Sequence, residues 1–304
     1  MTAQHKKSVS ERTALIGMSS DLIESIENAL PTMSKGQKRI AAYITEHCEK
    51  AAYMTASRLG EQAGVSESTV VRFAIELGFD GYPELHSAMQ ETLRKRLTGV
   101  QRLKVANDRY TEDNVLEEVL SADAQRIAAT VSLTDKEEFR KAVDAIMNAN
   151  KIYVMGMRSS FSLAEFLDYN LSLIFPNVSL VRNAGGGEIF EHLMTIREGD
   201  TVIAISFPRY SNRIINAVDF ANSCGAKVVA ITDGESSPIA KGAVAALYAK
   251  SDMASFADSL VAPLSIINAL LAAIGMKKRD EIAATLAHLE SVWDEYNVYD
   301  KKSK

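Results

Sequence analysis

Apolar residues in the first hundred positions recur every three or four residues. From about Asp21 to Leu97 this spacing is broken only by short turns, without a strand-like alternation. A helical period alone predicts an all-α bundle, which we assign to residues 20–97. The following polar stretch, "TGVQRLKVANDRYTE", has no clear period, and we predict a linker and a connecting helix over residues 98–132.

The pattern changes in the second half of the chain, where short apolar runs alternate with helical segments. Predicted strands are "KIYVMG", "VSLVR", "DTVIAIS", "AKVVAIT" and "AALYAK". The helices between and after them are predicted to start at Ser162, Glu188, Asn212, Ser237 and Ser255. This alternation predicts an α/β domain over residues 133–285, with a five-stranded parallel sheet between helices.

The last segment, residues 286–304, belongs to a C-terminal helix and tail. The helix in "RDEIAATLAHLESVWDEYNVY" is amphipathic, and its apolar stripe is expected to pack on this chain or on a sister chain.

Composition narrows the class of protein. The 304 residues are 47% hydrophobic and 24% charged, which is typical of a globular protein with an ordered core. The only cysteines, Cys48 and Cys224, lack metal-ligand spacing, so we expect no metal site, no disulfide framework and a cytoplasmic location. The most apolar run, Ser259 to Gly275, is interrupted by Pro263 and is predicted to be a buried helix rather than a membrane span.

The stretch "TASRLGEQAGVSESTVVRFAIELGFDGY" satisfies the steric requirements of a helix-turn-helix. Gly60 and Ala63 are small where the two helices cross, Gly64 permits the tight turn, and Val65 fills it. Ser66 is the predicted N-cap of the second helix. The inner face of that helix is predicted to contain Val70, Phe73 and either Ile75 or Leu77.

The outward face of the second helix is predicted to read double-stranded DNA. The residues of this face are Ser66, Glu67, Ser68, Thr69 and Arg72. An arginine side chain such as that of Arg72 is able to contact guanine through two hydrogen bonds. Lys35, Lys38 and Arg39 are candidate phosphate contacts. Ser66 could instead serve only as a cap, Thr69 only as solvated surface, and Glu67 as a charge that favours the helix N-terminus. The net charge of −5 does not by itself indicate nucleic-acid binding.

Two loops that follow predicted strands are rich in anion-binding groups. One contains Arg158, Ser159 and Ser160, and the other contains Ser206, Arg209, Tyr210 and Ser211. Each loop precedes a helix, whose N-terminal N–H groups favour an anion. Neither loop has the sequence of a P-loop or a dinucleotide fingerprint, so no nucleotide cofactor is predicted.

Together these segments resemble the RpiR family of bacterial transcriptional regulators. The resemblance rests on "LGEQAGVSESTVVRFAIELGFDGY", "GMRSSFSLA" and "ISFPRYSN…GAKVVAITD…SSPIAKGA", and it covers about residues 20 to 285. It implies an N-terminal helix-turn-helix and a C-terminal sugar isomerase (SIS) domain. It also implies a dimeric or tetrameric regulator that binds operator DNA and a sugar-derived effector without catalysis.

Both loops depart from the pattern of the family. Gly156 and Ser160 match the usual Gly-x-Gly-x-Ser, but Arg158 replaces the second glycine. In the second loop, Pro208 and Arg209 replace a serine and a glycine. The arginines could bind a ligand more acidic than a simple sugar phosphate, or they could point outward to a carboxylate.

A second class of function, a sugar-phosphate isomerase, needs an acid or base next to the substrate. Glu188 and His192 are the candidates, because their spacing places them on one helical face. Glu188 could equally bind sugar hydroxyls or cap its helix. Because the chain also contains a predicted helix-turn-helix domain, we expect a regulator rather than an enzyme.

Overall fold

The computed structural model describes residues 22–96, 100, 102–103, 110–182 and 187–299. The chain separates into two compact units, Met1–Arg109 and Tyr110–Lys304.

The first unit is helical throughout its described residues. Its helices are α1 (Leu22–Ala29), α2 (Lys35–Glu46), α3 (Cys48–Ala51), α4 (Ala56–Ala63), α5 (Glu67–Glu76) and α6 (Tyr82–Arg96), with a 3-10 turn at Leu30–Thr32. Helix α2 begins with a capping box, in which the Ser34 hydroxyl accepts from the Gln37 N–H and the Gln37 side chain accepts from the Ser34 N–H. The apolar faces form one core around Ile40, Leu59 and Phe73, each of which is fully buried.

The second unit is an α/β domain. It contains α7 (Val115–Leu133), α8 (Lys136–Met147), β1 (Ile152–Gly156), α9 (Ser159–Ser172), β2 (Val178–Leu180), α10 (Glu188–Leu193), β3 (Thr201–Ile205), α11 (Asn212–Ser223), β4 (Lys227–Thr232), β5 (Ala245–Tyr248), α12 (Val261–Lys277) and α13 (Arg279–Tyr296).

The five strands form one parallel sheet in the order β2-β1-β3-β4-β5. Both faces of the sheet are buried: Ile203 and Ile205 belong to the core on one face, while Val202 and Ala204 belong to the core on the other. Two-sided burial explains why the strands are continuous apolar runs rather than alternating ones. The predicted five-stranded parallel sheet between helices is therefore confirmed.

Two predicted helix positions are wrong. No helix starts at Ser237: that side chain is buried and hydrogen-bonded to the Thr232 hydroxyl at 2.7 Å, and only turns follow before Gly242, which has a φ of +79°. The helix predicted from Ser255 begins at Val261, because the preceding residues form a loop with an antiparallel bridge between Met253 and Asp258.

Close packing at the end of β1 depends on Gly156. A Cβ at this position would overlap the backbone carbonyl of Ser160, in the first turn of α9. Glycine therefore allows the loop after β1 to fold tightly against the start of α9.

The two C-terminal helices of the second unit meet at an angle of 99°. No single helix among the described residues is both long and apolar enough to cross a membrane, and α12 and α13 reach that composition only as this bent pair. Most of the apolar surface of α12 packs in the core, whereas no residue of α13 is buried.

Candidate functional site

The turn between α4 and α5 has the geometry of a helix-turn-helix. Gly64 has a φ of +65°, which glycine adopts without steric cost, and the Val65 N–H donates to the Gly60 carbonyl at 2.8 Å. A Cβ on Gly60 would lie 2.9 Å from the Val65 carbonyl oxygen, so the small residue at this crossing is required for contact. These local interactions fix α5 against α4.

The inner face of α5 contains the buried residues Val70, Phe73 and Ala74. Of the two alternatives for the next inner position, Leu77 is half-buried and Ile75 is 55% exposed. Ile75 is therefore not a core residue, because it lies on the side of the helix that faces away from α4.

The outward face of α5 begins with a cluster of hydroxyl groups. Ser66 occupies the N-cap position, but its side chain does not cap the helix. Instead, the Ser66 Oγ lies 2.9 Å from the Ser68 Oγ and 2.8 Å from the Thr69 Oγ1. Ser66, Glu67 and Ser68 are exposed, while Thr69 is half-buried. Short hydroxyl side chains at this position allow close approach of a flat or grooved partner.

Arg72 and the basic residues of α2 are also exposed. The Arg72 Nε donates to the Ser68 carbonyl at 3.2 Å, which orients the guanidinium along the outward face. The Arg39 Nη1 lies 3.3 Å from the position of a Cβ on Gly64, so this side chain covers the turn. Lys35 and Lys38 lie on the same helix as Arg39.

A side-chain contact between α2 and α5 was not predicted from the sequence. The amide of Gln37, a buried side chain, donates to the Glu76 carboxylate. Because the two residues are far apart in sequence, no local pattern indicates their contact. The bond fixes the start of α2 against the end of α5.

In the second unit, a cavity of about 270 Å³ lies at the carboxyl ends of the parallel strands. It is formed by the loop after β1, the loop after β3, and the segment between β5 and α12. The described residues that line it are Met157, Arg158, Ser159, Ser160, Ser206, Phe207, Pro208, Arg209, Ser211, Ser251, Phe256, Ala257, Asp258 and Leu260. The two serine-rich loops meet because β1 pairs directly with β3, with Gly156 opposite Ile205.

Two serines form the inner part of the cavity wall. Ser160, in the first turn of α9, is 6% exposed, and Ser206, directly after β3, is 5% exposed. Ser211 is the N-cap residue of α11, but its side chain does not cap the helix. The cavity therefore combines hydroxyl groups with the N-termini of α9 and α11, an arrangement that favours an anion.

Arg158 and Arg209 both line the cavity, and both have a positive φ angle. Their φ angles are 55° and 64°, values that glycine adopts more readily than arginine. Arg158 lies in the turn closed by the Ser160 N–H, which donates to the Met157 carbonyl at 3.1 Å. At the two positions where an arginine replaces a glycine of the family pattern, the backbone thus keeps a φ that suits glycine while the side chain adds a guanidinium group.

Three of the predicted ligand or acid–base residues do not line this cavity. The Tyr210 hydroxyl donates to Asp233 Oδ1 at 2.7 Å, which ties the loop after β3 to the end of β4. Glu188 is half-buried at the start of α10, and His192 is exposed on the same helix. Within the described ranges, no group of three or more His, Cys, Asp or Glu side chains could hold a metal ion.

The third wall of the cavity was missed by the sequence analysis. It consists of Ser251, Phe256, Ala257, Asp258 and Leu260, which were assigned in part to a helix. Their location after β5, at the carboxyl edge of the sheet, was the available signal. Asp258 adds a carboxylate to the lining that also contains the two arginines, so the lining includes acceptors for sugar hydroxyl groups as well as donors for an anion.

This third wall is connected to α7. Arg126, only 7% exposed, forms an ion pair with Asp123 at 2.8 Å, and its Nη2 donates to the Met253 carbonyl at 3.3 Å. The Ser259 hydroxyl also donates to Asp123 Oδ1, at 2.6 Å. We call these four residues the α7 latch. It joins the first helix of the second unit to the segment that lines the cavity.

Both units match models of known families. Residues 20–96 match the helix-turn-helix domain of the rpiR family, and residues 145–273 match the SIS domain. A relative named as an uncharacterised HTH-type transcriptional regulator of Caldanaerobacter subterraneus subsp. tengcongensis is 25% identical over 90% of this chain and 96% of its own. The HTH-type transcriptional regulator HexR of Pseudomonas aeruginosa is 24% identical over 75% of this chain and 78% of its own.

Two solved structures are similar to this chain. The sugar isomerase domain of an RpiR transcription factor from Sphaerobacter thermophilus has a TM-score of 0.56 at 26% identity, covering 59% of this chain and 99% of that one. The Vibrio vulnificus NanR protein complexed with ManNAc-6P has a TM-score of 0.56 at 19% identity, covering 91% of this chain and 99% of that one. At 19% identity the likeness to NanR shows a shared fold.

The strained backbone at Arg158, with φ 55° and ψ −125°, leads to a stability prediction. The free energy of unfolding of Arg158→Gly is expected to be about 1 kcal/mol higher than that of Arg158→Ala. A residue with a Cβ is destabilised by about 1–3 kcal/mol in such a sparsely populated conformation, and the larger chain entropy that glycine loses on folding offsets about 0.5–1 kcal/mol of the gain. Urea denaturation of the two variants measures the difference. Equal stabilities would contradict the backbone geometry at this turn.

Proposed function

We propose that this chain, which belongs to the rpiR family of helix-turn-helix regulators with a SIS domain, is a bacterial transcriptional regulator. It binds operator DNA through α5 and senses an anionic sugar derivative in the cavity of the SIS domain. The observation that carries this proposal is the presence on one chain of an exposed helix-turn-helix face and a serine- and arginine-lined cavity. We place its action in the cytoplasm, where operator DNA and phosphorylated metabolites are both present.

The DNA contacts are assigned to two surfaces of the first unit. Ser66, Ser68, Thr69 and Arg72 provide base-edge or phosphate contacts from the outward face of α5, and Glu67 lies among them as a charge near the helix N-terminus. The basic residues of α2, Lys35, Lys38 and Arg39, contact phosphates. A Cβ on Gly36 in α2 would lie 3.5 Å from the Thr69 side chain in α5. This close approach of the two helices supports the assignment of DNA contacts to both of them.

The ligand is proposed to bind through a phosphate or carboxylate. Ser159, Ser160, Ser206 and Ser211 provide hydroxyl groups, the two helix N-termini provide N–H groups, and Arg158 and Arg209 provide positive charge. Asp258 would accept hydrogen bonds from sugar hydroxyl groups. Glu188 and Tyr210 are outside the cavity lining, so we assign them no direct contact in this proposal.

We propose that the protein binds its ligand without converting it. The two candidate acid–base residues, Glu188 and His192, are not among the residues that line the cavity, and general acid–base catalysis requires hydrogen-bonding distance to the substrate. The relatives are named as transcriptional regulators, which also supports binding without conversion.

Coupling between ligand and DNA is assigned to the α7 latch. A ligand changes an equilibrium only if it binds the two states unequally. The segment that lines the cavity is held to α7 by Arg126, Asp123 and Ser259, and α7 is the first described helix after the linker. Movement of this wall on ligand binding would therefore be transmitted to the helix nearest to the DNA-binding unit in sequence.

The first prediction concerns DNA recognition. Arg72→Ala should weaken binding to the operator by about 1–3 kcal/mol and relax base preference at one position, if the side chain reads a base. Lys38→Ala should weaken specific and non-specific DNA alike and reduce the salt dependence. Fluorescence anisotropy over a range of salt concentrations measures both effects. Wild-type affinity in both variants would rule out this docking surface.

The second prediction concerns the cavity. The ligand is selected by a thermal-shift screen of sugar phosphates and sugar acids. Arg209→Gly removes a guanidinium at a backbone conformation that glycine favours, and it should weaken ligand binding by about 1.5–3 kcal/mol. Operator affinity in the absence of ligand should be unchanged. Arg140→Ala, which removes an exposed arginine from α8, is the matched control. Calorimetric titration showing equal affinity in both variants would exclude Arg209 from the site.

The third prediction concerns coupling. Ser259→Ala removes one hydrogen bond of the α7 latch, and it should bring the ratio of operator affinities with and without ligand closer to one. Affinity for the ligand itself should stay within about twofold, since the Ser259 hydroxyl faces Asp123. Ser265→Ala is the control, because it removes a hydroxyl that bonds within α12. A normal ligand response in Ser259→Ala would argue against transmission through the latch.

A further inference from the structure

Helix α13 is a long helix with few contacts to the rest of the described chain, one of which is the edge-on packing of the Trp293 ring against Tyr299 at 5.3 Å between ring centroids. It contains 18 residues, none of which is buried against the rest of the described chain. Its first residues follow the 99° bend after α12, where the Ile282 side chain approaches Gly275. At a rise of about 1.5 Å per residue the helix is about 27 Å long. Most of the stability of helices in proteins comes from packing of an amphipathic face, so we expect α13 to make a further contact.

The apolar side chains of α13 form a single stripe. Their spacing alternates between four and three residues, which is the heptad pattern of a coiled-coil seam. The members of the stripe are Ile282, Leu286, Leu289, Trp293 and Tyr296. Leu286 is 41% exposed and Tyr296 is 71% exposed, while the others are half-buried. We call these five residues the α13 seam.

The charges on α13 indicate what kind of surface covers the seam. Arg279 is the only Lys or Arg of the helix, whereas five residues are acidic: Asp280, Glu281, Glu290, Asp294 and Glu295. An acidic helix is unsuited to DNA or to an anionic membrane surface. Four of the acidic residues lie away from the seam in the heptad, and Glu290 alone flanks it. The seam itself is therefore suited to another apolar helix.

The order of residues along the seam makes it complementary to itself in one orientation. With two copies antiparallel, and the two-fold axis between Leu286 and Leu289, Leu286 of one copy faces Leu289 of the other. Ile282 then faces Trp293, and Arg279 faces the ring of Tyr296, a favourable cation–π arrangement. Each contact occurs twice, as two-fold symmetry requires. Glu290 faces Ala283, so no like charges meet across the seam.

The parallel orientation is less favourable in both charge and size. It would place Arg279 against Arg279 and Trp293 against Trp293, which combines like-charge repulsion with two large rings at one layer. Antiparallel pairing avoids both contacts, because Arg279 then faces Tyr296 and Trp293 faces Ile282. The sequence of the seam thus distinguishes the two orientations.

We propose that α13 is an assembly helix that pairs antiparallel with α13 of a second copy of this chain. This inference rests on the proposed function, because helix-turn-helix proteins commonly read paired half-sites as dimers, and it names the surface that would join the two copies. The pairing would join the SIS domains of two copies of the chain.

The first test disrupts the seam. Leu286→Asp places a charge at the centre of the seam. Light scattering after size exclusion should show a lower molar mass for this variant than for the wild type, because one interface between copies is lost. Ala287→Asp adds the same charge at an exposed neighbouring position off the seam and should keep the wild-type mass. Because no α13 residue is buried in the chain, both variants are expected to fold, which circular dichroism checks. An unchanged mass in Leu286→Asp would overturn the proposal.

The second test determines orientation. In a background with Cys48→Ser and Cys224→Ser, Leu286→Cys and Leu289→Cys are prepared separately and as a mixture allowed to exchange subunits. Antiparallel pairing predicts oxidative cross-links in the mixture and few in either variant alone. Cross-links in Leu286→Cys alone would indicate parallel pairing and contradict the proposal. These measurements involve no DNA, so operator binding by a protein that assembles through another surface would refute this inference and leave the proposed function intact.

Discussion

Pairing of β1 with β3 is the constraint on which the cavity depends. Because these strands are parallel and adjacent, both of their carboxyl ends reach the same edge of the sheet, and the two serine-rich loops meet there. Burial of both faces of β3 fixes this register, since a shift by one residue would exchange the side chains that pack in the two cores. Gly156 completes the arrangement by allowing the start of α9 to approach the strand end.

Arg158 and Arg209 add charge to the two loops that form the cavity, and the backbone path of the loops is kept. Positive φ angles at Arg158 and Arg209 preserve a loop path that suits glycine. A positive φ is unfavourable for a residue with a Cβ. Contacts within the surrounding turn must offset this unfavourable energy. In the first loop, one of these contacts is the hydrogen bond from the Ser160 N–H to the Met157 carbonyl. The added charge makes the cavity more suitable for a strongly anionic ligand than hydroxyl groups alone.

Local features of this protein could be predicted from sequence, and long-range contacts could not. Gly60 and Gly64 indicated the helix-turn-helix because each answers a local steric demand, and the apolar runs indicated the parallel sheet. The contact between Gln37 and Glu76 joins residues far apart in sequence, so no periodic pattern reveals it. The cavity wall near Asp258 was missed for a related reason: its residues become a wall only when the end of β5 comes beside the other two loops. Its polar and apolar residues also fit a helical pattern, which led to the wrong start for α12.

The coupling that we propose depends on buried polar groups in the α7 latch. Arg126 is largely removed from water, and a buried charge is tolerated only when it is paired and hydrogen-bonded. Its partners are Asp123 on its own helix and the Met253 carbonyl on the cavity wall, so displacement of the wall would weaken hydrogen bonding of a buried charge. Such a penalty is large compared with the coupling free energies of about 1–3 kcal/mol that allosteric regulation requires. Rigid movement of α7 with the wall avoids that penalty, and α7 follows the predicted linker segment in the sequence.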